Sequence, residues 1–349
     1  MSGEGVSSWQ LKVRGRALPP VTCAAMRELE VVRQLEHASR FCLTLADPDL
    51  ALVDSAQLPL GAEVEISLQH AGQEGIVFEG EITAWGLERT PSGTQLLVRG
   101  LDRSHRLLRS QRVRFVDARE DSALLRAVAR EHALTPGPGG PPASPGAGGP
   151  AGQLQLGTSD LALLLARGRR QGQRPGLQGK RLTLGAPPLT SPPKLLTQGQ
   201  ATGRCALSSD LSLLPTAVVV LGWDMKRHRP IEGKSSPLDV KWPGEPPPLG
   251  IQKAKRAFGD AVQVLADHHP ADAREATRMA RGILQQQAER ALEGVVWVSG
   301  FPLLLPGERL RLQGPSFPLP GIYRVITIHY LLTGAGGSTR LEVIRPLGV

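Results

Sequence analysis

Apolar and polar residues alternate in short stretches over the first hundred positions, most clearly at Phe41-Leu43-Leu45, Val64-Ile66-Leu68, Phe78-Ile82-Ala84 and Leu96-Val98. A period of two sends successive side chains to opposite faces of a strand, so each stretch predicts a strand with one face on a core. Turn formers lie between them, and an antiparallel sandwich or barrel follows.

After Phe115 the period changes. Asp121 can cap a segment in which Leu124, Leu125, Val128 and Ala129 recur at helical spacing, which predicts a helix from about Asp121 to Ala133. A second short helix is expected from Ser159 or Asp160 to near Gly168, with a strand around Arg181 to Gly185. Ala217 to Leu221 reads as strand, followed by Gly222-Trp223-Asp224 and a polar turn.

The strongest helical pattern starts at Asp272 and Glu275, a capping-box-like pair. Ala276, Ala280, Ile283, Leu284, Ala288, Ala291 and Leu292 form its apolar stripe, and Gly294 is placed for a left-handed stop. Strand pattern then returns at Leu310-Leu312, Tyr323-Val325-Thr327 and Leu341-Val343.

Two connectors interrupt these elements. Thr135 to Gly152, TPGPGGPPASPGAGGPAG, has almost no side chain able to offset the entropy of ordering and reads as a flexible linker or surface insertion. It lacks the GK[ST] of a phosphate-binding loop. Pro237 to Pro248 is a second Pro-rich connector.

The two ends echo each other. PLGAEVEISL, FEGEITAW and TQLLVRGL near the start correspond in order to LLPGERLRLQG, LPGIYRVITIHY and STRLEVIRPL near the end. Gly61 or Gly307 precedes the first strand and Gly80 or Gly321 precedes or enters the second, which suggests one supersecondary unit used twice.

Composition narrows the functional classes. The 349 residues exceed one compact core, and 40 Gly with 30 Pro imply many turns. A net charge of +9 suits a polyanionic partner, but the basic residues are scattered among carboxylates and aromatics are only 4%, so the stacking platforms of a single-strand binder are scarce. Nucleic acid is therefore not the expected partner.

Cys23, Cys42 and Cys205 are isolated and odd in number, which suggests neither a disulfide framework nor a zinc site. Met1 to Arg16 lacks an apolar signal core, and the run from Leu211 to Trp223 is interrupted by Pro215 and too short to span a bilayer. The expected compartment is the cytoplasm until any larger assembly forms, with no membrane partner.

Candidate chemistry is sparse. His268-His269 with Asp267 and Asp272 is the one cluster of metal-ligating residue types, but adjacent residues diverge and no HxxxH or HExxH spacing is present, so a solvated loop is expected. No GxSxG elbow is present. Glu79 and Glu81 share one side of a strand and read as an exposed face; Trp85, Trp223 and Trp297 read as core or interface anchors. No catalytic, cofactor-binding or metal-ligating residue is predicted, no cofactor is called for, and the protein is not expected to be an enzyme.

The ordered motifs resemble a known family. GAEVEISL, GIVFEGEITAW and TQLLVRGLDRSHRLLRS are similar to the N-terminal hub domain of VgrG proteins and of phage late control gene D proteins. LQLGTSDLALLLARGRRQG resembles that family's short helix after a Ser-Asp pair, with leucines replacing the usual aromatic residue. VVVLGWDMKRHRPIEGK resembles its Val-x-Gly-Trp-Asp turn, and GFPLLLPGERLRLQG with LPGIYRVITIHYLLTGAGGSTRLEVIR its closing signature. The resemblance covers about Phe41 to Pro346.

It implies a β-dominated α+β fold: two related antiparallel, tube-like β-barrel domains with a small α/β domain and helical insertions between them. The expected boundaries are 1–117 for the first barrel, 118–200 for the α/β domain with its linker at 135–152, and 201–349 for the second barrel with a helical insertion at about 252–294.

The implied function is structural. The chain would form a homotrimeric baseplate hub of a phage tail or contractile injection system, adapting a threefold spike to a sixfold inner tube. Its implied partners are the inner tube protein, other baseplate proteins, and a spike of the VgrG or PAAR type on a separate chain, since no length remains for the spike domains that VgrG proteins carry. Exposed strand edges and apolar faces would be covered by neighbouring subunits and tube protein. The alternatives are a baseplate-associated cell-wall-binding or wall-degrading protein, or a basic nucleic-acid-binding protein.

Overall fold

A computed structural model describes residues 8–53, 55–70, 73–91, 93–116, 121–138, 153–170, 173–185, 192–196, 201–267, 269–314 and 317–347. The first unit contains β1 (Ser8–Val13), β2 (Arg16–Ala17), α1 (Pro20–Ala24), β3 (Met26–Gln34), β4 (Arg40–Ala46), β5 (Glu63–His70), β6 (Gln73–Thr90) and β7 (Gly93–Leu101). A middle unit follows with α2 (Ser104–Leu108), β8 (Gln111–Val116), α3 (Asp121–Glu131), β9 (Thr135–Pro136), β10 (Gln153–Ser159), α4 (Asp160–Arg170), β11 (Pro175–Gln178) and β12 (Arg181–Leu184), after which β13 (Lys194–Leu196) rejoins the large sheet by pairing with Leu310–Leu312.

The last unit begins with β14 (Ala201–Ser209), β15 (Ala217–Asp224), β16 (Arg229–Lys234) and a 3-10 turn at Pro237–Asp239. It continues with α5 (Gly250–Phe258), β17 (Val262–Leu265), α6 (Ala273–Glu289), β18 (Leu292–Ser299), β19 (Arg309–Leu312), β20 (Gly321–Thr333) and β21 (Gly336–Arg345). The fold is α+β and β-dominated, as the sequence pattern predicts.

The two end units share one topology. In the first, β3 to β7 lie side by side in the order β3-β4-β7-β6-β5; in the last, β14 and β18 to β21 lie in the order β14-β18-β21-β20-β19. Both follow the same permutation of chain order. The backbone repeats it in detail: Gly61 N–H donates to Ile82 O (2.8 Å) and Ile82 N–H to Ala62 O (3.0 Å), while Gly307 N–H donates to Val325 O (2.7 Å) and Val325 N–H to Glu308 O (2.9 Å).

Gly61 and Gly307 both adopt positive φ, +77° and +91°, a conformation that a Cβ opposes. The ladder next skips a residue at the same point, between Ile82 and Ala84 and between Val325 and Thr327. The hairpins that follow close alike, with the Thr90 hydroxyl donating to Gly93 O (3.0 Å) and the Thr333 hydroxyl to Gly336 O (3.4 Å). In this register Gly80 aligns with Tyr323, so the Gly80 and Gly321 correspondence read from the sequence does not carry over. Gly80 instead admits the Leu101 carbonyl, where a Cβ would collide.

Residues Thr327 to Thr333 of β20 pair antiparallel with Glu28 to Gln34 of β3, fusing the two units into one 13-stranded sheet. One apolar core runs beneath both, from Leu11, Phe41 and Ile66 to Tyr330 and Val343. The middle unit has its own core of Leu124, Leu125, Val128, Leu164 and Leu182. A third cluster packs α6 on β15 and β16 through Ala276, Ala280, Leu284, Val218 and Ile231.

Two sequence expectations need correction. Asp272 caps α6 as predicted, accepting from Glu275 N–H at 2.7 Å, but the helix ends at Glu289 and Gly294 lies within β18. Gly294 serves close strand approach: a Cβ there would meet Leu207 and the Ala206 carbonyl of β14. Thr135 and Pro136, read as the start of the linker, form β9 and pair with Arg181 and Leu182 of β12. Residues 139–152 of that linker lie outside the described residues.

Candidate interaction surfaces

The functional candidates are surfaces. Among the described residues β8 and β10 pair only with each other, Leu154 opposite Phe115 and Leu156 opposite Val113. These four apolar side chains share one face of the ribbon and stand in solvent, Val113 76%, Phe115 56%, Leu154 53% and Leu156 63% exposed. A two-stranded ribbon does not sustain itself in water, so its polar face must anchor it.

The anchor is ionic. Arg114 pairs with Glu131 of α3 (2.6 Å) and Asp160 of α4 (2.8 Å), Arg112 also bonds Glu131, and Gln155 donates to Asp160 at 3.0 Å. His132 closes the network on Asp160 at 2.7 Å. Glu131, His132 and Asp160 place one ligand atom each within 4.8 Å of one another, close enough for a cation. Two arginines already occupy their carboxylates, however, and repel a divalent ion. The arrangement is a staple that leaves the apolar face of the ribbon open.

Burial opposes ionisation of Asp160, but hydrogen bonds from His132 and Gln155 and the charges of Arg114 and Arg112 outweigh it and hold its pKa below the ordinary value. Glu81 behaves alike: burial is outweighed by Arg106, His105 and Arg103. A depressed carboxyl pKa adds stability above the unfolded value, and this is lost as pH falls through the folded one. Asp102 works in the opposite sense, because burial raises its pKa despite bonds from Ser104 and Ser39. The urea midpoint is therefore expected to fall below about pH 4. Asp160→Asn should be less stable at pH 7 and show a shallower acid slope; parallel slopes would count against the staple.

Glu79 and Glu81 do not form one exposed face. Glu79 is exposed, whereas Glu81 is buried beneath α2, bonded to Arg106 and, at 3.0 Å, to His105. Trp85 and Trp223 are half exposed and so remain available as interface anchors, while Trp297 lies 4.1 Å beneath the Arg204 guanidinium. The three cysteines are unpaired and partly buried, and burial raises the pKa of Cys23 and Cys42 away from reactive thiolates. His268 lies outside the described residues, and Asp272 is spent on the α6 cap.

The ribbon was missed by sequence reasoning although its signal was present: Val113 and Phe115 alternate with Arg112 and Arg114, and Leu154 and Leu156 with Gln153 and Gln155. Among the described residues, no helix is long and apolar enough to cross a membrane.

This architecture is a tail-protein fold. The tail protein from Neisseria meningitidis MC58 superposes with a TM-score of 0.69 over 97% of this chain and 96% of its own, at 15% identity. The 43 kDa tail protein of prophage MuSo2 from Shewanella oneidensis gives 0.70 over 98% and 99%, at 12% identity. The E. coli c3393 protein, a component of the type VI secretion system, gives 0.59 over 97% and 78%, at 13% identity. No curated protein sequence matches the chain. By sequence the chain belongs to the family described as the Alg8 N-terminal domain, whose model matches residues 4–317.

Proposed function

We propose that this protein is a non-enzymatic structural hub of a phage tail or contractile injection baseplate, of the late control gene D type. Three copies form a ring that joins a threefold spike, on a separate chain, to a sixfold inner tube, and the finished protein resides in the assembled particle. The observation that carries this reading is the duplicated strand order, β3-β4-β7-β6-β5 and β14-β18-β21-β20-β19, within one chain. Three chains holding two like units each present six, the number a sixfold tube requires.

The tail-protein fold over nearly the full length supports the same reading. The domain division follows it with its expected bounds shifted: the first barrel, expected at 1–117, ends with β7, because α2 and β8 pack into the middle unit, and the second barrel, expected at 201–349, takes in β13, which pairs with β19. A closed ring needs a different patch on each side of every subunit, and the apolar face of the β8–β10 ribbon suits one of them. Covering Phe115, Val113, Leu154 and Leu156 would contribute about 1.5–3 kcal/mol for each large side chain fully buried.

Size-exclusion chromatography with light scattering, followed by electron microscopy, tests the reading. Threefold rings with six similar lobes are expected. A stable monomer that also failed to bind tube or spike protein would overturn it. Phe115→Glu with Leu156→Glu is expected to shift the ring to monomers while leaving the far-UV circular dichroism unchanged; rings of undiminished stability would remove the ribbon from the interface.

A further inference from the structure

The seam between the two end units has a counterpart that is left open. With Ile82 aligned to Val325 and one residue skipped after each, Trp85 corresponds to Ile328, Leu87 to Tyr330 and Arg89 to Leu332. From Thr327 to Thr333, β20 is flanked on both sides, by β21 and by β3. The equivalent stretch of β6, residues 84–90, pairs with β7 on one side, and among the described residues no strand lies on the other. The side chains differ accordingly: Ile328 and Tyr330 are 0% and 1% exposed, whereas Trp85 and Leu87 at the same places are 51% and 45% exposed.

β14 is the counterpart of β3 and is open in the complementary sense. Cys205 and Leu207 oppose Val296 and Gly294 of β18 as Leu29 and Val31 oppose Leu43 and Phe41 of β4. Both ladders are irregular just before, between Ala201 and Cys205 and between Met26 and Glu28. β3 has β20 on its far side, but among the described residues β14 ends the sheet. Leu29 and Val31 are buried, while Cys205 and Leu207 are only partly so and Arg204, Ala206 and Ser208 are exposed.

An open strand edge with an apolar flank is a template for another strand. Two unlike edges on opposite ends of one subunit join copies head to tail. Resting on the ring of the preceding section, we propose that β14 of one copy adds antiparallel to residues 84–90 of β6 in the next, in the register of the β20–β3 seam. Leu87 then opposes Leu207, Arg89 opposes Cys205 and Trp85 opposes Ser209, as Tyr330 opposes Val31, Leu332 opposes Leu29 and Ile328 opposes Arg33. Seams within and between chains alternate around the ring, and the partner strand covers Trp85 and Leu87 as β3 covers Ile328 and Tyr330.

The full-length chain carrying Arg89→Cys can be oxidised mildly with copper phenanthroline, run without reductant, and its cross-links located by peptide mass mapping. Covalent trimers joined between position 89 and the native Cys205 are expected, because residues directly opposite on antiparallel strands lie within disulfide reach. The unsubstituted chain should stay uncross-linked. Leu87→Lys, which places an ammonium in the seam, is expected to raise the concentration needed for ring assembly by about tenfold or more. Ile76→Lys, at an exposed apolar position of β6 outside the seam, should leave assembly unchanged. Threefold rings that form without the bond, or that tolerate Leu87→Lys as readily as Ile76→Lys, would overturn the seam and leave the hub reading standing. A chain that stays monomeric even with tube and spike protein would overturn both.

Discussion

Glu289→Ala is expected to destabilise the protein by about 3–5 kcal/mol, read as a lower urea midpoint with little change in slope. Glu289 ends α6, and its carboxylate accepts from Arg324 of β20 at 3.1 Å and lies 3.6 Å from Arg174, which in turn bonds Glu36 at 2.7 Å. The Glu289 and Arg324 side chains are each 4% exposed. Truncating the acid therefore strands the Arg324 guanidinium away from water and leaves Arg174 with Glu36 alone. The loss reaches beyond the pair, because Arg174 follows α4, Glu36 lies between β3 and β4, and Arg324 belongs to the last unit. The carboxylate thus joins the first unit, the middle unit and the last. Glu289→Gln keeps hydrogen-bond acceptance without charge and should fall between wild type and alanine. An alanine cost below about 1 kcal/mol would place the network in the class of exposed pairs.

Gly233→Val is expected to cost about 3 kcal/mol or more, beyond the usual range for overpacking. Gly233 faces Val220 across the β15–β16 ladder, and any Cβ there would run into the backbone of Ala276 and Thr277 on α6. A flexible side chain could move aside; helix backbone can do so only by lifting α6 from the sheet. That would disturb the contacts of Ala276, Ala280 and Leu284 with Val218 and Ile231, and with them the Glu289 node. Amide exchange of α6 gives the clearest readout, with protection lost along the helix in the variant and retained in β3 and β4. Undiminished protection across α6 would show that the helix tolerates the added bulk.

The strands and helices that lie on strong periods were legible in advance. Phe41, Leu43 and Leu45 announce β4 because alternation is a local property of the backbone, and Asp272 announces α6 because capping is also local. The duplication was visible through Gly61 and Gly307, whose positive φ demands glycine at both. Gly294 misled because a glycine that stops a helix and one that admits a neighbouring strand are the same letter. Glu81 misled because its alternation is that of an exposed residue, and only the packing of α2 covers it.

The sequence by itself determined the β-dominated class, the Asp272 cap of α6 and the use of one unit twice, since each follows from interactions within a few tens of residues. It could not determine the β3–β20 seam, where His329 meets Glu30 at 2.6 Å across nearly the whole chain, nor the Glu289 node, nor the uncovered face of β8 and β10. Those depend on which distant surfaces meet and which are left without a neighbour. Burial and charge compensation take their values only after the chain has closed on itself, and the tertiary structure alone decided them.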